Sequence, residues 1–126
     1  MDAMQLMRKL NANAVCAEED RKLIFIEDVV VDTSCFRLEY RCNPDGTGAV
    51  AMLLYNPYGA NPYSYEKSHI RTDGLICVGP DLDPDNSRFG LVFTVTRARL
   101  WCFAFAYLVE NGYDAVCEVI PEWRGR

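Results

Sequence analysis

Apolar and polar positions along this chain change their period several times, and each change marks an element. Over residues 2–20 good helix formers dominate, with no Pro or Gly, and Met4, Met7, Leu10, Ala14 and Val15 share a stripe at spacings of three and four. That stripe predicts one amphipathic helix over the whole of residues 2–20. From Leu23 the composition turns β-branched and aromatic. Leu23-Ile24-Phe25-Ile26 and Val29-Val30-Val31 predict one or two strands around Glu27 and Asp28. Phe36, Leu38, Tyr40 and Cys42 then alternate with Arg37, Glu39 and Arg41, a period-2 strand with one wet face. Asn43-Pro44-Asp45-Gly46 is a strong turn signal, and residues 49–55 form the returning strand.

The second half reads differently. Residues 56–65 are rich in Pro, Gly, Asn and Tyr, which punctuate regular structure rather than propagate it. The rings of Tyr58, Tyr63 and Tyr65 predict an ordered loop packed on the body of the domain. Residues 96–110 predict a helix that is apolar almost all round, stopped by Asn111-Gly112, with Trp101 as a core anchor. Residues 89–95 read as a strand leading into that helix or as part of a deeply buried one. Residues 113–120 read as a last strand or a short helix. The order of elements predicts an α+β fold: an N-terminal helix, an antiparallel four-stranded meander, a long loop and a C-terminal helix, all in one domain over residues 1–126.

Composition narrows the function classes. The chain has 126 residues and a net charge of −5, with half of its residues apolar, which fits a single globular core. The acidic balance argues against a nucleic-acid binder, because such proteins need a basic face. The longest unbroken apolar run, residues 100–109, is about half of what a bilayer needs, so no membrane contact is expected. The charged N-terminus lacks a signal-peptide core, which points to the cytoplasm. The six cysteines show no CxxC spacing and the chain has one histidine, so neither a metal site nor a cofactor is expected. In a reducing compartment the natural role for Cys16, Cys35, Cys42, Cys102 and Cys117 is as small core hydrophobes.

One segment carries candidate chemistry. Ser68-His69-Ile70-Arg71-Thr72-Asp73-Gly74-Leu75-Ile76-Cys77 holds the single histidine and a cysteine eight residues later. Gly74 and Gly79 flank the cysteine, and glycines there let other backbone approach closely and leave a thiol accessible. Acyl transfer through sulfur needs such a thiol, a donor for the developing oxyanion and an open approach for the acceptor. Cys77 is the candidate nucleophile, and His69 the candidate oxyanion donor or base. The acidic residues Asp81, Asp83 and Asp85 read as a solvated turn, or as groups that orient an incoming amine.

The stretch from Tyr55 to Gly79 resembles the active-site segment of ubiquitin-conjugating enzymes. That family places a Tyr- and Pro-rich loop after a four-stranded meander, then a His-Pro-Asn-Ile segment, then Gly-x-Ile-Cys-Leu. In this chain Ile70, Gly74, Ile76 and Cys77 match, with Val78 in the place of Leu. His69 stands where the family has its oxyanion-holding asparagine, Lys67 and Ser68 replace the family His and Pro, and the tryptophan nine residues after the cysteine is missing. The His in the asparagine position, a compact C-terminus and a Trp-bearing later helix (Trp101) are similar to the prokaryotic branch, found in operons linked to phage defence. The resemblance implies a UBC-like fold and a thioester on Cys77. It implies as partners a ubiquitin-like protein, a ubiquitin-activating-enzyme-like protein and a target lysine. Rival readings are a non-catalytic ubiquitin-like-binding or adaptor domain of the same fold, a plain α+β structural domain, and a cysteine hydrolase, for which no Gly-rich nucleophile elbow surrounds Cys77.

Overall fold

A computed structural model describes residues 1–79 and 89–124. Helix α1 (Ala3–Leu10) opens with a capping box, in which Asp2 accepts from the Gln5 amide and Gln5 reaches back to the Asp2 amide. It ends ten residues earlier than the apolar stripe suggests. Asn11 closes it by donating its N–H to the Met7 carbonyl at 2.7 Å, while its side-chain oxygen accepts from the Asn13 amide at 2.9 Å. This side-chain turn competes with helix continuation. The residues beyond it form strand β1 (Val15–Glu19), which pairs antiparallel with the start of β2 (Lys22–Val31). The connecting residues Asp20 and Arg21 both adopt positive φ, 51° and 66°, the twist a two-residue hairpin needs. Long-range pairing has overridden local helix propensity in residues 15–19.

The sheet continues through β3 (Ser34–Cys42) and β4 (Val50–Tyr55), in the order β1-β2-β3-β4 with every neighbour antiparallel. Residues 22–31 are thus one strand. On its inner face Phe25, Phe36, Leu38, Tyr40 and Ala51 are buried under helix α3 (Leu91–Asn111). That helix begins at Leu91, so residues 89–95 contain no strand, and Trp101 is its central anchor, stacked on Phe105 at 4.8 Å and edge-on to Phe36 at 6.0 Å. The helix is 21 residues long, and by length and composition it is apolar enough to cross a bilayer, well beyond the ten-residue run seen in the sequence. Half of its apolar stretch is buried in the fold. Gly112, at φ 94°, turns the chain into α4 (Tyr113–Val119), which resolves the tail as helix, followed by a 3-10 turn (Pro121–Trp123).

A polar hub lies inside the apolar layer. Glu27, 4 % exposed, faces inward between Phe25 and Val29 on β2. Its carboxylate accepts from Arg99 of α3 at 2.7 and 3.0 Å, from Asn11 at 3.0 Å and from the Tyr40 hydroxyl. Arg99 also donates to the Leu10 carbonyl at 3.1 Å. Burial alone would raise the Glu27 pKa, but the hydrogen bonds from Arg99, Tyr40 and Asn11 outweigh it and hold the carboxyl below its ordinary value. One side chain therefore joins the end of α1, two strands and the long helix.

The cysteines divide against expectation. Cys42, Cys102 and Cys117 are buried, whereas Cys16 and Cys35 are exposed. Both exposed thiols lie on strands: Cys16 on the edge strand, where its Sγ meets the Met4 sulfur at 3.3 Å, and Cys35 in the outward phase of β3. All six are free thiols.

Candidate functional site

Residues 69–77 form a small hairpin docked on β4. Its turn is closed by the Gly74 amide donating to Arg71 at 3.0 Å, and Leu75 takes the Arg71 amide at 2.9 Å. Asp73 stiffens it, accepting from Arg71 and from the Leu75 amide. Gly74 is required here: at φ 94° a Cβ would sit 3.2 Å from the Leu53 carbonyl oxygen. The Leu53 amide donates to Gly74 at 2.9 Å and the Ile76 amide to Ala51 at 2.9 Å, pinning the hairpin to the sheet. Ile70 and Ile76 pair across it, and one step further the Cys77 amide donates to the His69 carbonyl at 2.9 Å. The eight-residue spacing in the sequence therefore becomes direct opposition in space.

His69 is 5 % exposed and takes the left-handed conformation, φ 58° and ψ 31°, at the end of the short helix α2 (Tyr65–Ser68). Its Nε2 lies 2.8 Å from the carbonyl oxygen of Trp123, and the two rings stack at 4.2 Å. A carbonyl only accepts, so Nε2 carries the hydrogen. In the neutral ring Nδ1 is then the acceptor, a base rather than a donor, and only the imidazolium donates from both nitrogens.

Two tryptophans hold this corner. Trp101 donates Nε1–H to the Ser68 carbonyl at 2.8 Å, and Trp123 donates Nε1–H to the Lys67 carbonyl at 2.8 Å. The Ser68 hydroxyl, fully buried, bonds Ser64 and Asn61. These bonds satisfy the carbonyl end of α2, which burial would otherwise leave orphaned. Trp101 is thus both the expected core anchor and a clamp on the site. Trp123 went unrecognised in the sequence; its only signal is an aromatic residue with a polar handle two positions after Pro121.

Cys77 is half-buried and lies beside a cavity of about 50 Å³ with His69, Arg97, Trp101, Ile120 and Trp123. Its Sγ faces the Gly79 carbonyl at 3.9 Å. Cys77 is therefore less exposed than Cys16 and Cys35, although it is the one thiol of the three set beside a histidine in a recess. In the tyrosine-rich loop Tyr58 and Tyr63 pack on the body as expected, whereas Tyr65 begins α2. Tyr58 meets Phe36 and Phe105 at ring distances of 6.1 and 6.3 Å and donates to Glu110 at 2.9 Å, and the Tyr63 hydroxyl reaches the Leu108 carbonyl at 3.4 Å. Asp81, Asp83 and Asp85 lie outside the described residues.

No protein-family model, curated protein or solved structure matches this chain.

Proposed function

We propose that this chain is a UBC-like conjugating domain. It accepts the C-terminal acyl group of a ubiquitin-like protein on Cys77 and passes it to a lysine amine of a target. One observation carries the reading: a half-buried thiol beside a recess, opposite His69, on a hairpin that follows a four-stranded antiparallel meander. Helix, meander, Tyr- and Pro-rich loop, cysteine hairpin and long helix follow one another in the order the family resemblance implies.

The chemistry runs in two steps. The Cys77 thiolate attacks the carbonyl of a thioester on an activating-enzyme-like partner, a new C–S bond forms, and the partner's thiolate leaves. Thiol-for-thiol exchange is nearly thermoneutral, so the first step asks little of the site. In the second step a lysine amine attacks the Cys77 thioester, the C–S bond breaks, and the amine's proton must be removed. His69, which faces Cys77 across the hairpin and donates Nε2–H to the Trp123 carbonyl, is the candidate base for that proton.

The test is reconstitution. With an activating enzyme, ATP and the cognate ubiquitin-like protein, the chain should form a reducible adduct on Cys77, lost in Cys77→Ala and converted to a stable oxyester in Cys77→Ser. His69→Ala should charge normally and discharge to lysine about 10²-fold more slowly, the lower end of what a positioned base contributes. Equal discharge by His69→Ala would make His69 a structural residue. A second reading, a non-catalytic domain that binds the ubiquitin-like protein, is favoured by the burial of the His69 ring under Trp123. Binding without any adduct would establish it.

A further inference from the structure

The geometry points to residues 120–123 as a lid over the Cys77 thiol, latched by Trp123. Among the described residues, three walls flank the recess. The first is the hairpin, bonded through its backbone to β4. The second is α3, whose Arg97, Leu100 and Trp101 face the recess from a helix packed along the sheet. The third is the C-terminal strap, which contributes Ile120, Glu122 and Trp123. The recess holds about 50 Å³, room for a few waters, whereas sites that enclose a ligand run to about 300 Å³ or more. For the extended end of a protein chain to enter the recess beside Cys77, one of these walls must yield.

The strap is the wall built to do so. Its backbone amides bond only locally: Ile120 to Val116, Trp123 to Ile120, and Arg124 to Pro121. Among the described residues, its hydrogen bonds to the rest of the fold run through Trp123, from Trp123 Nε1 to Lys67 and from His69 Nε2 to the Trp123 carbonyl, reinforced by the ring stack. Segments held by few long-range bonds open before the core does. Opening would widen the recess and lift Trp123 off the His69 ring in the same movement. The lid itself requires only that Cys77 be covered. That the ligand admitted is the acyl-bearing tail of a ubiquitin-like protein rests on the proposed function.

Native alkylation of the full chain, read per cysteine by peptide mass spectrometry, tests the lid without any partner. Trp123→Phe keeps the ring but loses the Nε1 donor, Trp123→Ala removes the latch, and Pro121→Gly loosens the strap without touching the recess. Cys77 labelling by a bulky maleimide should rise about fivefold in Trp123→Phe, the share of one neutral hydrogen bond, and further in Trp123→Ala. Pro121→Gly should move in the same direction, and small iodoacetamide should gain less than the maleimide in all three. Cys42 and Cys102, buried in the sheet–helix core, report global opening. If Cys77 labels at the parental rate in all three variants, or rises only in step with Cys42 and Cys102, the strap is plain core and the lid is wrong. If Cys77 alone is unmasked yet no thioester forms in reconstitution, the lid stands and the acyl-transfer reading falls.

Discussion

Glu27 and His69 are buried to nearly the same degree, 4 % and 5 % exposed, and the fold satisfies them in opposite ways. Glu27 is gripped by side chains from α1, β3 and α3, with a two-pronged guanidinium among them. His69 leans on a backbone carbonyl and a ring from the last turn of the described chain. The first arrangement cannot loosen without separating sheet from helix. The second can loosen by moving four residues. A buried ionisable group is thus a rivet in one place and a catch in the other, and the difference lies in where its partners are attached.

The largest effect should come from breaking the rivet. Arg99→Met leaves the Glu27 carboxylate buried without its counter-charge, and such deletions cost about 3–5 kcal/mol. Urea unfolding should show this loss. The double variant Glu27→Leu/Arg99→Met should recover part of it, because the orphaned charge is gone. An Arg99→Met protein within about 1 kcal/mol of the parent would mean that the hub is solvated after all.

Next in size should be the acid limb of the stability curve. The Glu27 pKa is lowered in the folded state, so its contribution is fully present above the ordinary value of 4.5 and is lost as pH falls through the lower native one. Melting temperatures recorded from neutral to about pH 3 should fall more steeply for the parent than for Glu27→Leu/Arg99→Met. Parallel curves would remove Glu27 from the list of acid-sensitive groups.

His69→Ala should cost less than either, about 1 kcal/mol, because the freed Trp123 carbonyl reaches water once the strap lifts. Hydrogen exchange should localise the change to the amides of residues 123 and 124, with those of β2 and β3 unmoved. Protection lost equally across the sheet would erase the contrast between rivet and catch.

The smallest effect concerns the thiols of the parent protein. Cys16 and Cys35 should alkylate first, Cys77 next, and Cys42 and Cys102 last, since burial pushes their thiols up to about 11 and about 12. Cys102 reacting ahead of Cys77 would contradict the packing of α3 on the sheet.

Some of this was legible in the chain. The alternation of Phe36, Leu38, Tyr40 and Cys42 placed β3 with its inner face correct, and the Asn43-Pro44-Asp45-Gly46 turn led into β4. Residues 15–19 were misread because Ala17, Glu18 and Glu19 favour a helix locally; only pairing with residues 22–26 through a left-handed Asp20-Arg21 turn makes them a strand. Glu27 was passed over inside an apolar run, although its parity with Phe25 and Val29 already aimed the carboxylate inward. The opposition of His69 and Cys77 was foreshadowed by spacing, but the strap was not, since nothing local tells Trp123 which carbonyls it will meet. Contacts made within a few residues leave a trace in sequence, and contacts across fifty leave almost none.

The hairpin of residues 69–77 also sets a rule for how this chain tolerates insertion and deletion. Because His69 and Cys77 face each other as rungs of one ladder, their partnership depends on how many residues lie between them. Adding or removing one residue in the tip around Asp73 would slide the second rail by a step and present a neighbouring side chain to His69 instead of the thiol. Paired changes of two would reverse the imbalance only if Gly74 kept its place against Leu53. The tip is exposed and polar, the kind of place where length usually drifts freely, yet here its length is as constrained as the identity of the cysteine itself.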